Sequence, residues 1–150
     1  MKALFGAMLT LIAVSPALAN DHVVHWDDMV GVIAQVGDTN PVADINSGTF
    51  PWSARRGFAV VNFTSGSFAF DVQGLVINGT QFSGTAGPVT AVTGTLVCDA
   101  GQPTERALDS QPVALTPGGR AQGAGTFENI PGSCGNPLFL IRIATPAGET

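Results

Sequence analysis

From Trp52 onward, apolar residues come in short runs, many of them alternating with polar ones, and the runs are broken by Gly, Pro, Ser and Asn clusters. Val, Thr and Phe are common there, while Leu, Lys and Glu are scarce, which is strand and turn composition. This spacing predicts an all-β fold: a single-domain antiparallel β-sandwich, Ig-like or jelly-roll-like. Its clearest element is a hairpin over 57–76 that turns at Ser65-Gly66. Folded there, Phe63 faces Phe68, Val61 faces Phe70 and Ala59 faces Val72, so those six residues form one apolar surface. The other surface carries Val60 opposite Asp71, Phe58 opposite Gln73 and Asn62 opposite Ala69. A slip of one residue would turn Asp71 and Gln73 into the core, so the pattern itself is expected to enforce this register.

Further strands follow from the same period. One runs over 91–98, with Val92, Leu96 and Cys98 on one side. A second hairpin is expected at Pro117-Gly118-Gly119, with arms 111–115 and 120–128. Ala121, Gly123, Gly125 and Phe127 share a face of its second arm, leaving room for a large neighbour or a close backbone. The run 138–144 is apolar on both faces except at Arg142 and is expected to be the central strand. Upstream, 29–36 reads as a strand or a short helix, and 38–51 as a long loop with turns at Asn40-Pro41 and Asn46-Ser47-Gly48.

The first nineteen residues follow a different rule. Met1-Lys2, an apolar stretch over 3–14, the break at Ser15-Pro16 and the small-x-small Ala17-Leu18-Ala19 make the three parts of a bacterial secretory signal peptide. Its apolar stretch is short for a bilayer span, and no later segment reaches eighteen apolar residues. Cleavage after Ala19 places the mature protein in the periplasm or outside the cell. The chain thus divides into signal peptide (1–19), an N-terminal segment with a long loop (20–56), a β-sandwich core (57–144) and a tail (145–150).

Charged residues make up only 11% of the chain, and hydrophobic ones 45%, so it is not of the charge-rich disordered kind. The net charge is -5, and cleavage would also remove Lys2, the only lysine. That balance argues against nucleic acid and anionic lipid heads as partners. It leaves an unidentified protein or envelope component, and self-association through sheet edges that no lysine blunts. In an oxidising compartment the two cysteines, Cys98 and Cys134, read as one disulfide, since no CxxC spacing or neighbouring histidine suggests a metal or redox pair.

Met29-Val30-Gly31-Val32, Thr39-Asn40-Pro41-Val42 and Gly48-Thr49-Phe50-Pro51-Trp52, followed by the hairpin and two late cysteines, resemble a family of small secreted bacterial β-rich proteins with no assigned activity. The resemblance implies secretion and one β-rich domain, and brings no catalytic residue with it.

The residues for common catalytic constellations are missing. His22 and His25, the only histidines, lie within six residues of Asn20, and there is no G-x-S-x-G, G-x-G-x-x-G or P-loop. A carboxylate pair would have to come from aspartates such as Asp71 and Asp109. Asp38-Thr39-Asn40 and Asp44 to Gly48 carry hard oxygen ligands, but in a pattern better suited to Asx turns than to calcium. Trp26 and Trp52 read as lids on the core. The expectation is therefore a non-catalytic secreted or periplasmic domain with a binding or structural role and no cofactor. The alternative is a copper or nickel protein. A mature terminus Asn20-Asp21-His22 would present an amine, two amides and an imidazole as a square-planar nitrogen set, with His25 near enough to add an axial group.

Overall fold

A computed structural model describes residues 22–31, 41–48 and 50–144. Residues 1–21, which include the expected signal peptide, most of the 29–36 element, Asp38 to Asn40 and residues 145–150 lie outside the described residues. Every regular element described is a strand: β1 Val23–Trp26, β2 Trp52–Ser53, β3 Arg56–Asn62, β4 Ser67–Gln73, β5 Val76–Ile77, β6 Ala91–Cys98, β7 Arg106–Asp109, β8 Val113–Ala114, β9 Ala121–Thr126 and β10 Leu138–Ile143. All pairings are antiparallel. One sheet has the order β1-β3-β4-β9; the second has β10-β6-β7, with β8 also on β6. A two-stranded ribbon, β2-β5, carries the buried Trp52 and Ile77.

The two larger sheets share one core. Ala59, Val61, Phe68 and Phe70 of the first pack with Leu96 and Cys98 of the second, and with Phe127. A second cluster joins Val72 and Ala121 to Val92, Leu115 and Ala86. The period-2 pattern thus puts the expected face of the 57–76 hairpin inward.

The hairpin register differs from expectation by two residues. Val61 pairs with Phe68 and Ala59 with Phe70, while Gly57 takes the place opposite Val72. Phe63 leaves the ladder and lies in a four-residue loop. The reason is Asn62, whose side-chain Oδ1 accepts the amides of Thr64 (2.9 Å) and Ser65 (3.0 Å). Gly66 N–H closes the loop onto the Asn62 carbonyl at 2.8 Å, with φ of 78°. This Asx-type closure competes successfully with a two-residue turn. A shift by two keeps every side chain on its face, so the hydrophobic pattern cannot distinguish the two registers.

Two placements are corrected. The central strand of the second sheet is β6, and β10 is an edge. On β6, Val92, Leu96 and Cys98 are buried on the inner side, and Thr95 and Val97 are buried on the outer side. Leu138 and Leu140 of β10 lie opposite Val97 and Thr95 on that outer face, so β10 is apolar on both sides while pairing on only one. The other correction concerns the N-terminal segment. Val23–Trp26 forms β1 on the edge of the first sheet, with Val24 opposite Val61 and Trp26 opposite Ala59. Trp26 packs on Phe139, ring centroids 5.8 Å apart, and so helps to close the core, as does Trp52.

Cys98 and Cys134 form the disulfide, Cα atoms 4.8 Å apart. Beside it, Asp99 N–H donates to the Gly135 carbonyl at 2.7 Å, and Gly135 N–H donates to Asp99 Oδ1 at 2.9 Å.

Candidate functional site: the open side between β9 and β7

The Pro117-Gly118-Gly119 turn forms, but its two arms do not make a hairpin. Gly119 N–H donates to the Thr116 carbonyl at 2.8 Å, and Thr116 N–H to the Arg120 carbonyl at 3.0 Å. Arg120 N–H ends on Thr116 Oγ1 at 3.0 Å. Beyond that pair the arms separate. One arm, β8, joins β6 through Val113 and Ala114; the other, β9, joins β4 along its whole length. The turn is a corner between the two sheets.

Each arm has a local reason to leave. Pro112 lacks an N–H, which disfavours a strand paired on both sides. Just before it the edge carries a bulge: Asp109 pairs with Thr95 and Val113 with Val92, so β7–β8 has one residue more than β6 across the same interval. Ser110 bridges the irregularity. Its N–H donates to the Gly94 carbonyl at 2.8 Å, and its Oγ accepts Gly94 N–H at 2.9 Å. On the other arm, glycines let aromatic rings lie over β9. A Cβ on Gly123 would meet the Phe70 ring at 2.3 Å, and one on Gly125 would meet Phe68 at 3.2 Å. The large neighbour expected opposite these glycines is therefore a pair of phenylalanines.

Separation of the arms leaves a groove of about 380 Å³. Phe68, Phe127, Leu108 and Val113 give it apolar walls, and Asp109 and Glu128 stand among its polar residues. Phe68 and Phe127 are stacked, ring centroids 4.3 Å apart. Both flanking strands have a free edge. Phe127 N–H donates to Gly66 across the first sheet. By the alternation of an antiparallel ladder, the N–H and C=O groups of Gln122, Ala124 and Thr126 therefore point outward along the groove, with no partner strand.

The ionisable groups do not converge on one point. Asp71 lies on the outer face of the first sheet, opposite Gln122 of β9. It is only 8% exposed. Gln73 Nε2 donates to its Oδ1 at 3.1 Å, Gln122 Nε2 donates to Oδ2, and Arg120 Nη2 lies 3.5 Å from Oδ2. Burial pushes the Asp71 carboxyl upward, but these amide donors and the guanidinium outweigh it and hold the group below its ordinary value of 3.8. Asp109 points from the outer face of the second sheet, where it accepts the Thr95 hydroxyl at 2.7 Å and faces Arg142 at 3.4 Å. Two layers of side chains separate these carboxylates, so they do not flank a common bond. Glu105 joins loops: Oε1 accepts Asp44 N–H at 3.1 Å and Oε2 accepts Gly101 N–H at 2.6 Å.

The N-terminal nitrogen set is only partly described. The His22 carbonyl accepts Phe63 N–H at 2.8 Å, and its ring lies 5.3 Å from that of Phe63. His25, three residues on, projects from the opposite face of β1, away from His22. Among the described residues no three His, Cys, Asp or Glu side chains group as metal ligands, and no helix is long and apolar enough to cross a membrane.

The fold and groove define a class: a disulfide-linked antiparallel β-domain whose two sheets are left open along one side. The chain matches no protein-family model, no curated protein and no solved structure. Sequence reasoning missed the splayed arms, Ser110 and the Asp71–Gln122 contact. Pro112 was the available signal for the first; the other two depend on which strands become neighbours.

Proposed function

We propose that this is an exported, non-catalytic bacterial β-domain that acts by holding another polypeptide along the open side of its two sheets. The signal-type segment ending at Ala19 and the disulfide support export. The observation that carries the binding role is the separation of β8 from β9. It exposes a strand edge, with the main-chain groups of Gln122, Ala124 and Thr126 unpaired, beside an apolar groove. Such an edge can receive an added strand by main-chain hydrogen bonds, while the groove takes alternate side chains. Among the described residues, Asp71, Asp99, Glu105 and Asp109 serve as acceptors within the fold and Glu128 lines the groove, and no chemistry is routed through them.

The test is complementation in a deletion strain of the source bacterium. Asp109→Asn and Asp44→Asn are expected to restore the wild-type phenotype within a few fold. Ala124→Lys, which sets a charge on the free edge, is expected not to restore it although the protein is folded and exported. Loss of function in either amide variant with the fold intact, or full rescue by Ala124→Lys, overturns the proposal.

A further inference from the structure

The structure assigns the occupant of this edge, on the reading that the open side is the binding surface, to a second copy of the same chain: two β9 strands paired antiparallel about a two-fold axis through Ala124. Three observations lead there. First, β9 differs from the other strand edges. β7 carries Arg106 and Asp109 and ends at the bulge, β10 carries Arg142, and β1 is only four residues long. All six residues of β9, Ala121–Thr126, are uncharged and include no proline. Edges that avoid pairing with other chains carry charges, prolines, bulges or little length, and β9 lacks all four protections.

Second, the outward main-chain groups are self-complementary. They belong to Gln122, Ala124 and Thr126, which are spaced evenly about Ala124. An antiparallel copy centred there sets Ala124 against Ala124 and Gln122 against Thr126, and exchanges on the order of six backbone hydrogen bonds. The side chains meeting are small, and on the inner face Gly123 meets Gly125. The first sheet would then continue across the dimer without interruption, and each β9 would cover the other copy's groove.

Third, the charges at the ends of the strand match. Arg120 precedes β9 and reaches Asp71 on the outer face, and Glu128 lies in the turn that follows β9. The register centred on Ala124 brings Arg120 of one copy to the end of the strand where Glu128 of the other lies, and does so twice by symmetry. The Arg120 side chain is 56% exposed while its Nη2 contacts Asp71, which leaves its other guanidinium N–H groups for the partner copy's carboxylate. A parallel pairing would set like charges together.

The experiment is sedimentation velocity of the disulfide-bonded protein over a wide concentration range, combined with single-cysteine cross-linking. Wild type is expected to pass from monomer to dimer. Ala124→Pro removes one outward N–H without touching the β4 ladder, and is expected to weaken dimerisation at least tenfold, as is Ala124→Lys; circular dichroism confirms that each is folded. Under mild oxidation Ala124→Cys chains should cross-link to each other, whereas Thr126→Cys chains, which face Gln122, should not. A wild type that stays monomeric, association that survives in both edge variants, or equal cross-linking of the two cysteine variants overturns the inference. A monomeric wild type together with failed complementation by Ala124→Lys would leave the binding role standing and assign the edge to a different chain.

Discussion

At the scale of single residues, Asp71 is the most constrained ionisable group of the fold. It sits in a sheet interior, yet its two oxygens are used by Gln73, Gln122 and Arg120, so strands β4 and β9 are joined by side chains as well as by the ladder. Its folded-state pKa lies below the unfolded value. The unfolded chain therefore binds the proton more readily, and stability from this group is fully present above about pH 4. It is lost as the pH falls through the lower folded-state value. Asp71→Asn puts an amide donor against two amide donors and is expected to cost about 1.5 to 3 kcal/mol at neutral pH. Urea unfolding of both proteins from pH 7 to pH 2 checks this. Wild type should lose more stability than the variant below about pH 4, and parallel profiles would remove Asp71 from the acid response.

At the scale of elements, the period-2 pattern carried the facing of β3, β4 and β6, because burial on one face leaves a clear trace in side-chain type. It did not carry register or neighbours. The two-residue shift of the hairpin comes from Asn62 bonding to Thr64 and Ser65, and a polar residue at a strand end does not declare its partners in the sequence. β1 was hidden because Val-Val-His-Trp, four residues long, gives too little alternation to stand out. The candidate site was legible only in part: the small face of β9 was visible, but the peeling of β8 depends on the sheets competing for the two arms. Two comparisons test the packing. Gly123→Ala drives a methyl into the Phe70 ring and is expected to cost about 1 to 3 kcal/mol, and Gly125→Ala less, because its nearest atoms are farther away. Asn62→Ala removes the one side-chain acceptor of two hydrogen bonds and is expected to cost about 1 to 2 kcal/mol without moving the 57–76 side chains to new faces. Denaturant midpoints give all three values; Gly125→Ala costing more than Gly123→Ala would contradict the placement of the Phe70 ring.

At the scale of the molecule, the chain crosses between the sheets several times, and the disulfide secures the last crossing. After β9 it leaves the first sheet, runs through 127–137 and enters the second sheet on the far edge, as β10, with Leu138 beside Val97. Cys134 lies in that crossing and Cys98 at the end of β6, the strand that β10 must find. The bond thus holds the entrance of β10 at its correct partner. The closed loop spans a sequence separation of 36, for which chain-entropy arithmetic gives about 3 to 4 kcal/mol. The paired bonds between Asp99 and Gly135 do not involve the sulfurs, so the variant keeps the groups that make them. Cys98→Ala/Cys134→Ala is accordingly expected to fold, to be less stable by about 3 to 4 kcal/mol and to melt on the order of 10 °C lower. The loss should be uneven in space. Native-state hydrogen exchange should show the amides of 131–137 and the first half of β10 opening at lower free energy, because only they are tethered by the bond. The β3–β4 ladder, whose main-chain hydrogen bonds lie within the first sheet, should open only with global unfolding. If β10 and the β3–β4 ladder gain exchange equally and no sub-global opening exists, the disulfide stabilises the fold as a whole and does not guard this crossing.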